Sequence, residues 1–376
     1  MYQLALPLFF ALSILSSVES FAEDRTSSQQ KNKGVSAENA LSRLQQYALR
    51  AVGKGIRQYE KRNPENEGVL EVCFIVIEHT TGEVAASVNG RNYPASAVDH
   101  CEKPRQTGTL FKTFVLAAAL EYGNGTMWSL SSEVLDLPLC YEYYRRGKKI
   151  NVLDPVYCPQ NYALEDPLYA GKITLKKAFE DSRNAAFLWL GNIIGIDWIV
   201  ETVERFGIPI PKSQRRHAAL ILGITEVSPL RMAQAFSVFA NDGVLIIPNH
   251  DQRTVITQKT AARLQMALRG VVVNGTAQKG KTIDSKKIYG KTGTTSAPDP
   301  ENKERGKTID AWFCGFDEQY TVCVWTGFDD QENIGTEESG GRTALPFFVH
   351  FMEQLHGKKI SKKAEKTKRT NKTPRG

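Results

Sequence analysis

Arg105-Gln-Thr-Gly-Thr-Leu-Phe-Lys112 runs directly into Thr-Phe-Val-Leu-Ala-Ala-Ala-Leu-Glu-Tyr122. The second half is apolar on nearly every face, which predicts a buried helix from about Thr109 to Tyr122 with Gly123 as its stop. Thr109 and Lys112 are three residues apart, so hydroxyl and amine share one face at the helix start. An amine so placed can take the hydroxyl proton if the site holds it neutral. The N-terminal end of the helix dipole favours a developing alkoxide there.

Two further motifs follow in order. Ser182-Arg-Asn184 lies in a helical middle region, and Lys291-Thr-Gly-Thr294 follows a strand-like run beginning at Ile288. Ser182 can relay protons and Asn184 can hold a peptide amide. Lys291 supplies a cation, and Thr292 and Thr294 supply hydroxyls, for a substrate carboxylate. Gly293 lets substrate approach the strand backbone. The backbone N–H groups of Thr109 and Thr294 are the expected oxyanion hole. A hydroxyl-x-x-lysine pattern is weak alone, since Ser28-Gln-Gln-Lys31 also fits and sits in a polar stretch. The ordered set of three is specific.

Around these motifs the chain reads as one domain. Residues 37–61 carry Leu41, Leu44, Ala48, Val52 and Ile56 at helical spacing. Leu70 to His79 and Glu83 to Asn89 read as a hairpin, as do Asp310 to Phe316 and Tyr320 to Gly327. Helices are predicted over Thr174 to Ile194, Asp197 to Phe206, Ser228 to Asn241, Thr257 to Leu268 and Pro346 to Leu355. Strands at both ends enclosing a helical middle predict an α+β fold with a helical subdomain.

The three motifs form the SxxK, SxN and KTG set of the serine acyl transferases, with threonine in the first position. Over about residues 40–355 the chain resembles the transpeptidase domain of class A penicillin-binding proteins. Arg105 to Gly108 resembles that family's RQPG, Val88 to Tyr93 its VGGRDY, and Pro159 to Tyr162 its P-x-NY. Val227 to Gly243 resembles its helix sequence, and Asp310 to Phe316 its DAWFVGY. The resemblance implies a β-lactamase/transpeptidase-like fold, a central antiparallel sheet flanked by helices. It implies a covalent acyl-enzyme acting on peptidoglycan stem peptides ending in D-Ala-D-Ala, with β-lactams as covalent ligands.

Two departures stand out. The glycosyltransferase domain that precedes this region in class A enzymes is not expected here, and residues 37–66 resemble only the linker helix that follows it. Thr109 stands where the family has serine, and it is a bulkier secondary alcohol, stiff at χ1. One function expected is therefore a D,D-transpeptidase or D,D-carboxypeptidase working through Thr109. The competing one is a pseudo-transpeptidase that holds stem peptides or partner proteins without turnover. β-Lactamase activity ranks last, because no ExxLN pattern for deacylation is evident.

The ends and the cysteines speak to location. Residues 1–22 hold an apolar run and a small-x-small site at Ser20 and Ala22, predicting an exported, periplasmic or extracytoplasmic protein; an uncleaved anchor is the alternative, since no Lys or Arg precedes the run. Residues 23–36 read as a polar linker and residues 67–356 as the catalytic domain. Export would put the six cysteines in an oxidising compartment. A Cys140–Cys158 bridge is expected across the insert between them, and Cys314 and Cys323 lie on adjacent strands. No cofactor or metal is expected, since the spacing fits no zinc pattern. The net charge is +7. Nine Lys or Arg and one Glu in the tail from His356 onward account for +8. Subtraction leaves −1 for the body, which offers no nucleic-acid face. The tail, residues 357–376, is expected to be disordered and could meet an anionic membrane surface or wall polymer.

Overall fold

The computed structural model describes residues 28–91, 98–140, 158–161, 167–278, 288–297, 307–335 and 337–357, with side chains from Arg43 onward. The expected signal peptide, the 141–157 insert and the basic tail beyond Gly357 lie outside the described residues. The chain divides into two units, residues 1–43 and 44–376, and the second holds every site residue discussed below.

Helix α1 (Ser28–Glu60) starts nine residues before the amphipathic pattern, inside the expected polar linker. Gln29, Gln30, Lys31 and Lys33 in that stretch are adequate helix formers, so the helix extends without an apolar stripe. From Leu44 on it carries a buried stripe, and Tyr59 donates its hydroxyl to the Ile334 carbonyl at 2.8 Å.

Strands β1 (Glu71–Glu78) and β2 (Val84–Asn89) form the first hairpin. Val72 to Ile77 are all buried. That explains an unbroken apolar run where a one-sided strand would alternate. Short β3 (Arg105–Gln106) leads through a 3₁₀ turn (Gly108–Phe111) into α2 (Lys112–Gly125). Every side chain from Lys112 to Leu120 is buried. Regular helix stops at Tyr122, where Gly123 and Asn124 turn left-handed, as the glycine predicted.

β4 (Glu133–Asp136) pairs with β5 (Gly171–Thr174) at the edge of the helical region. The helix predicted over Thr174 to Ile194 is two: α3 (Leu175–Glu180) and α4 (Asn184–Ile194), broken at the Ser182 motif. Then come α5 (Ile196–Arg205), a 3₁₀ turn (Ala218–Leu222), β6 (Glu226–Val227), α6 (Pro229–Ala240), β7 (Val244–Leu245), β8 (Arg253–Thr254) and α7 (Gln258–Val273). Ser228 caps α6 by accepting the Arg231 N–H.

β9 (Tyr289–Ala297), β10 (Lys307–Phe316) and β11 (Tyr320–Gly327) complete an antiparallel five-stranded sheet in the order β2-β1-β11-β10-β9. The two predicted hairpins thus meet through β1 and β11. On one sheet face Phe316 packs on Phe236 of α6. On the other Phe313 packs on Phe348 of α8 (Leu345–Leu355). The fold is the expected α+β sheet flanked by helices. Among the described residues no single helix is long and apolar enough to cross a membrane.

All six cysteines are bonded: Cys140–Cys158 as expected, Cys314–Cys323 across β10 and β11, and Cys73–Cys101. The last ties β1 to the segment that leads into the Thr109 turn.

Candidate active site

The Thr109 turn is held from both sides. Thr107 and Gly108 donate their N–H groups to the carbonyls of Thr225 and Gly223, and Trp312 Nε1 donates to the Gln106 carbonyl at 2.8 Å. Strand β9 lies directly against this turn. A Cβ on Gly293 would sit 2.7 Å from the Thr107 carbonyl oxygen and 2.8 Å from Leu110 Cβ. Gly293 is therefore demanded by the protein's own packing, where the sequence suggested only substrate approach.

Ser182 joins the two lysines. Lys112 Nζ donates to the Ser182 carbonyl and, at 2.6 Å, to Asn184 Oδ1. Lys291 Nζ donates to Ser182 Oγ at 2.9 Å and to its neighbour's carbonyl on Thr292 at 3.1 Å. Ser182 adopts φ 61°, a left-handed conformation rare for a residue with a Cβ. That conformation breaks the helix and lets one residue present its carbonyl to Lys112 and its hydroxyl to Lys291.

Both lysine Nζ groups lie on fully buried side chains, beside Phe187 and Phe179, while Thr109, Ser182, Asn184 and Thr294 are half-buried. Burial pushes the Lys291 ammonium down to about 7, since desolvation disfavours its charge. The Thr109 hydroxyl donates to the Thr292 carbonyl at 3.4 Å.

The KTG motif lies within strand β9 itself, so its side chains alternate. Lys291 and Gly293 face the helix α2 side, opposite Cys314 and Trp312; Thr292 and Thr294 face the other way. The Thr292 hydroxyl pairs with that of Thr276 at 2.8 Å, and Thr294 Oγ1 accepts the Gly340 N–H at 3.0 Å. The structure thus brings Thr109, Lys112, Ser182, Asn184 and Lys291 together. It sets the Thr292 and Thr294 hydroxyls on the opposite face of the same edge strand.

Sequence reading missed Thr276, Gly340, Asp136 and Asn161. Asn161 lies in the ProGlnAsnTyr stretch, but Asp136, Asn184 and Ala185, which it bonds, are over twenty residues away. A separate cluster of Glu71, His100 and Asp329 offers metal-type donors. Lys103 and Arg105 already lie 3.3 and 3.5 Å from Asp329 Oδ1, so its charge is matched within the protein.

Residues 160–353, about half of the chain, match the family described as "Penicillin binding protein transpeptidase domain". The chain belongs to the penicillin-binding protein transpeptidase family. It is 28% identical over 309 residues to penicillin-binding protein 1A of Neisseria cinerea, covering 76% of this chain and 36% of that protein. The chain therefore spans about a third of the length of such curated relatives. Among solved structures, penicillin-binding protein 1A from Haemophilus influenzae superposes with a TM-score of 0.66 at 24% identity, over 77% of this chain and 48% of that one. The PonA1 protein from Mycobacterium tuberculosis in complex with penicillin V does so at 0.64 and 20% identity, over 84% of each. Both likenesses bear on the fold. The Thr109–Lys112 pair precedes the segment matched to the penicillin-binding protein family.

Proposed function

We propose that this chain is a penicillin-binding acyl transferase of the D,D-transpeptidase type, acting on stem peptides ending in D-Ala-D-Ala, with Thr109 as nucleophile. The observation that carries this reading is Ser182, bonded to both Lys112 and Lys291 beside the Thr109 turn. Lys112, as the neutral amine with its N–H groups on the Ser182 carbonyl and Asn184 Oδ1, takes the Thr109 proton on its lone pair as Oγ1 attacks the penultimate D-Ala carbonyl. The developing oxyanion meets the N–H groups of Thr109 and Thr294. The peptide C–N bond then breaks, and Ser182 passes the proton to the departing D-Ala amine. An ester on Thr109 remains. An acceptor amine releases it in transpeptidation, or water in carboxypeptidation.

Substrate lies along β9. Among the described residues this edge strand has no strand partner on its outer side, so an extended peptide can add beside it. Asn184 holds the peptide amide. Lys291, with the strand edge at Thr292, Gly293 and Thr294, takes the terminal carboxylate. Three disulfides support export to an oxidising compartment. There the basic tail would hold the domain near anionic lipid or wall polymer.

Thr109 bonds to Thr292, and this favours a second reading in which the site binds stem peptide or penicillin without turnover. Incubation with fluorescent penicillin separates the two. The first requires a mass increase of one penicillin, mapped to the peptide containing Thr109. If Thr109→Ser also takes up no penicillin, the acyl-transferase reading fails.

A further inference from the structure

Asn161 is 4% exposed and Asp136 is 0% exposed, yet neither belongs to the three motifs. Asn161 Oδ1 accepts the backbone N–H of Asn184 at 2.7 Å and of Ala185 at 3.1 Å. These are the opening N–H groups of α4, whose own N-cap residue, Arg183, makes no side-chain cap bond. Asn161 therefore caps this helix from a distant loop, supplying the oxygen that Ser or Asp ordinarily supplies locally. Its amide nitrogen donates to Asp136 Oδ1 at 2.7 Å and to the Leu168 carbonyl at 2.8 Å. Asp136 Oδ2 accepts the Ala170 N–H at 2.9 Å and lies 3.4 Å from Arg183 Nη1. Two donors on one side and a carboxylate on the other fix which way the Asn161 amide points. Next to it, the Gln160 carbonyl accepts Asn184 Nδ2 at 2.7 Å. That contact turns Asn184 Oδ1 toward Lys112.

We infer that Asn161, oriented by Asp136, is the positioning residue that presses the Ser182–Asn184 turn against Lys112. Acylation then depends on it although it touches neither lysine nor Thr109. The inference rests on the acyl-transferase reading. The left-handed conformation of Ser182 is strained and persists only where its surroundings over-determine it. Asn161 is the buried group that does so from the helix side. Without it the turn relaxes, and the Ser182 carbonyl and Asn184 Oδ1 leave Lys112 Nζ. A displacement near 1 Å is enough to lose about 100-fold in rate.

The test uses the full chain and fluorescent penicillin, with the non-covalent dissociation constant and the acylation rate constant measured separately and folding checked by melting. Asn161→Ala should lower the acylation constant by about tenfold or more while the dissociation constant changes less than about threefold. Asn161→Asp should also be impaired, since it sets a second carboxylate against Asp136. The exchange pair Asp136→Asn with Asn161→Asp restores one carboxylate and one donor, and should recover part of the rate. A merely structural role predicts that the acylation constant stays near wild type in every variant that melts like wild type. Where Asn161→Ala does not fold, the aspartate variant and the exchange pair carry the comparison. Asn161→Ala acylating like wild type while folded would overturn the inference, as would an exchange pair no better than Asn161→Asp. If neither wild type nor Thr109→Ser acylates, the acyl-transferase reading has failed. A crystal structure of Asn161→Ala still decides the positioning role. It must have lost the contact between Asn184 Oδ1 and Lys112 Nζ, and keeping it overturns the inference.

Discussion

Lys291 Nζ meets Ser182 Oγ at 2.9 Å, from the opposite side of the residue whose carbonyl holds Lys112. Lys291 itself is fully buried, so its charge is costly there.

That cost makes binding pH-dependent. Burial pushes Lys291 from 10.5 down to about 7, so the free protein carries this charge only below about pH 7. A carboxylate ligand favours the charged form. Non-covalent affinity of Thr109→Ala for penicillin should therefore be full below about pH 7 and weaken above it, by at most about tenfold per pH unit. Fluorescence titration at pH 6, 7 and 8 reads this; a profile equally steep in Lys291→Ala would assign it elsewhere.

The same shift acts on folding. Between about 7 and 10.5 the native protein binds fewer protons at Lys291 than the unfolded chain. This contribution makes stability rise with pH across that window, and the penalty is fully present below it. Lys291→Met should flatten the slope of urea-unfolding free energy against pH; an unchanged slope would deny the penalty.

Thr109 carries a methyl group that serine lacks, and its hydroxyl points to the Thr292 carbonyl. Thr109→Ser frees χ1 and should raise the acylation rate by about tenfold, since positioning errors near 1 Å are worth about 100-fold. Thr109→Ala should abolish labelling. A serine variant slower than wild type would mean that the site is shaped around threonine.

Ser182 combines strain and function. Ser182→Gly and Ser182→Ala both remove the hydroxyl that meets Lys291, so both should lose acylation. Only glycine adopts φ 61° without cost, so it should be the more stable of the two by about 1 kcal/mol in urea unfolding. Equal stability would show that the turn is not strained.

Cys73–Cys101 closes a separation of 28 residues and anchors the approach to the Thr109 turn. Replacing both with serine should cost about 3–4 kcal/mol on the loop-closure account. Thermal melting reads the loss, and wild type in reductant should move the same way.

Much of this fold was legible locally. The apolar runs at 71–78 and 320–327 mark buried strands, and the apolar stretch after Lys112 marks a buried helix, because periodicity reports which sides are covered. The residue types of Thr109, Lys112, Ser182, Asn184 and Lys291, in that order, carried the expectation of acyl-transfer chemistry, and the structure gathers them in one place. Periodicity carries no record of partners. The pairing of β1 with β11 and the Cys73–Cys101 bridge arise only when distant segments pack on one core. The break at Ser182 was invisible because 174–194 is helical by composition. Its left-handed turn is held by Asn161, which lies 21 residues before it in the chain. Sequence thus determined which groups are present and which segments are buried; the packing of the sheet against the helical region decided which of those groups meet.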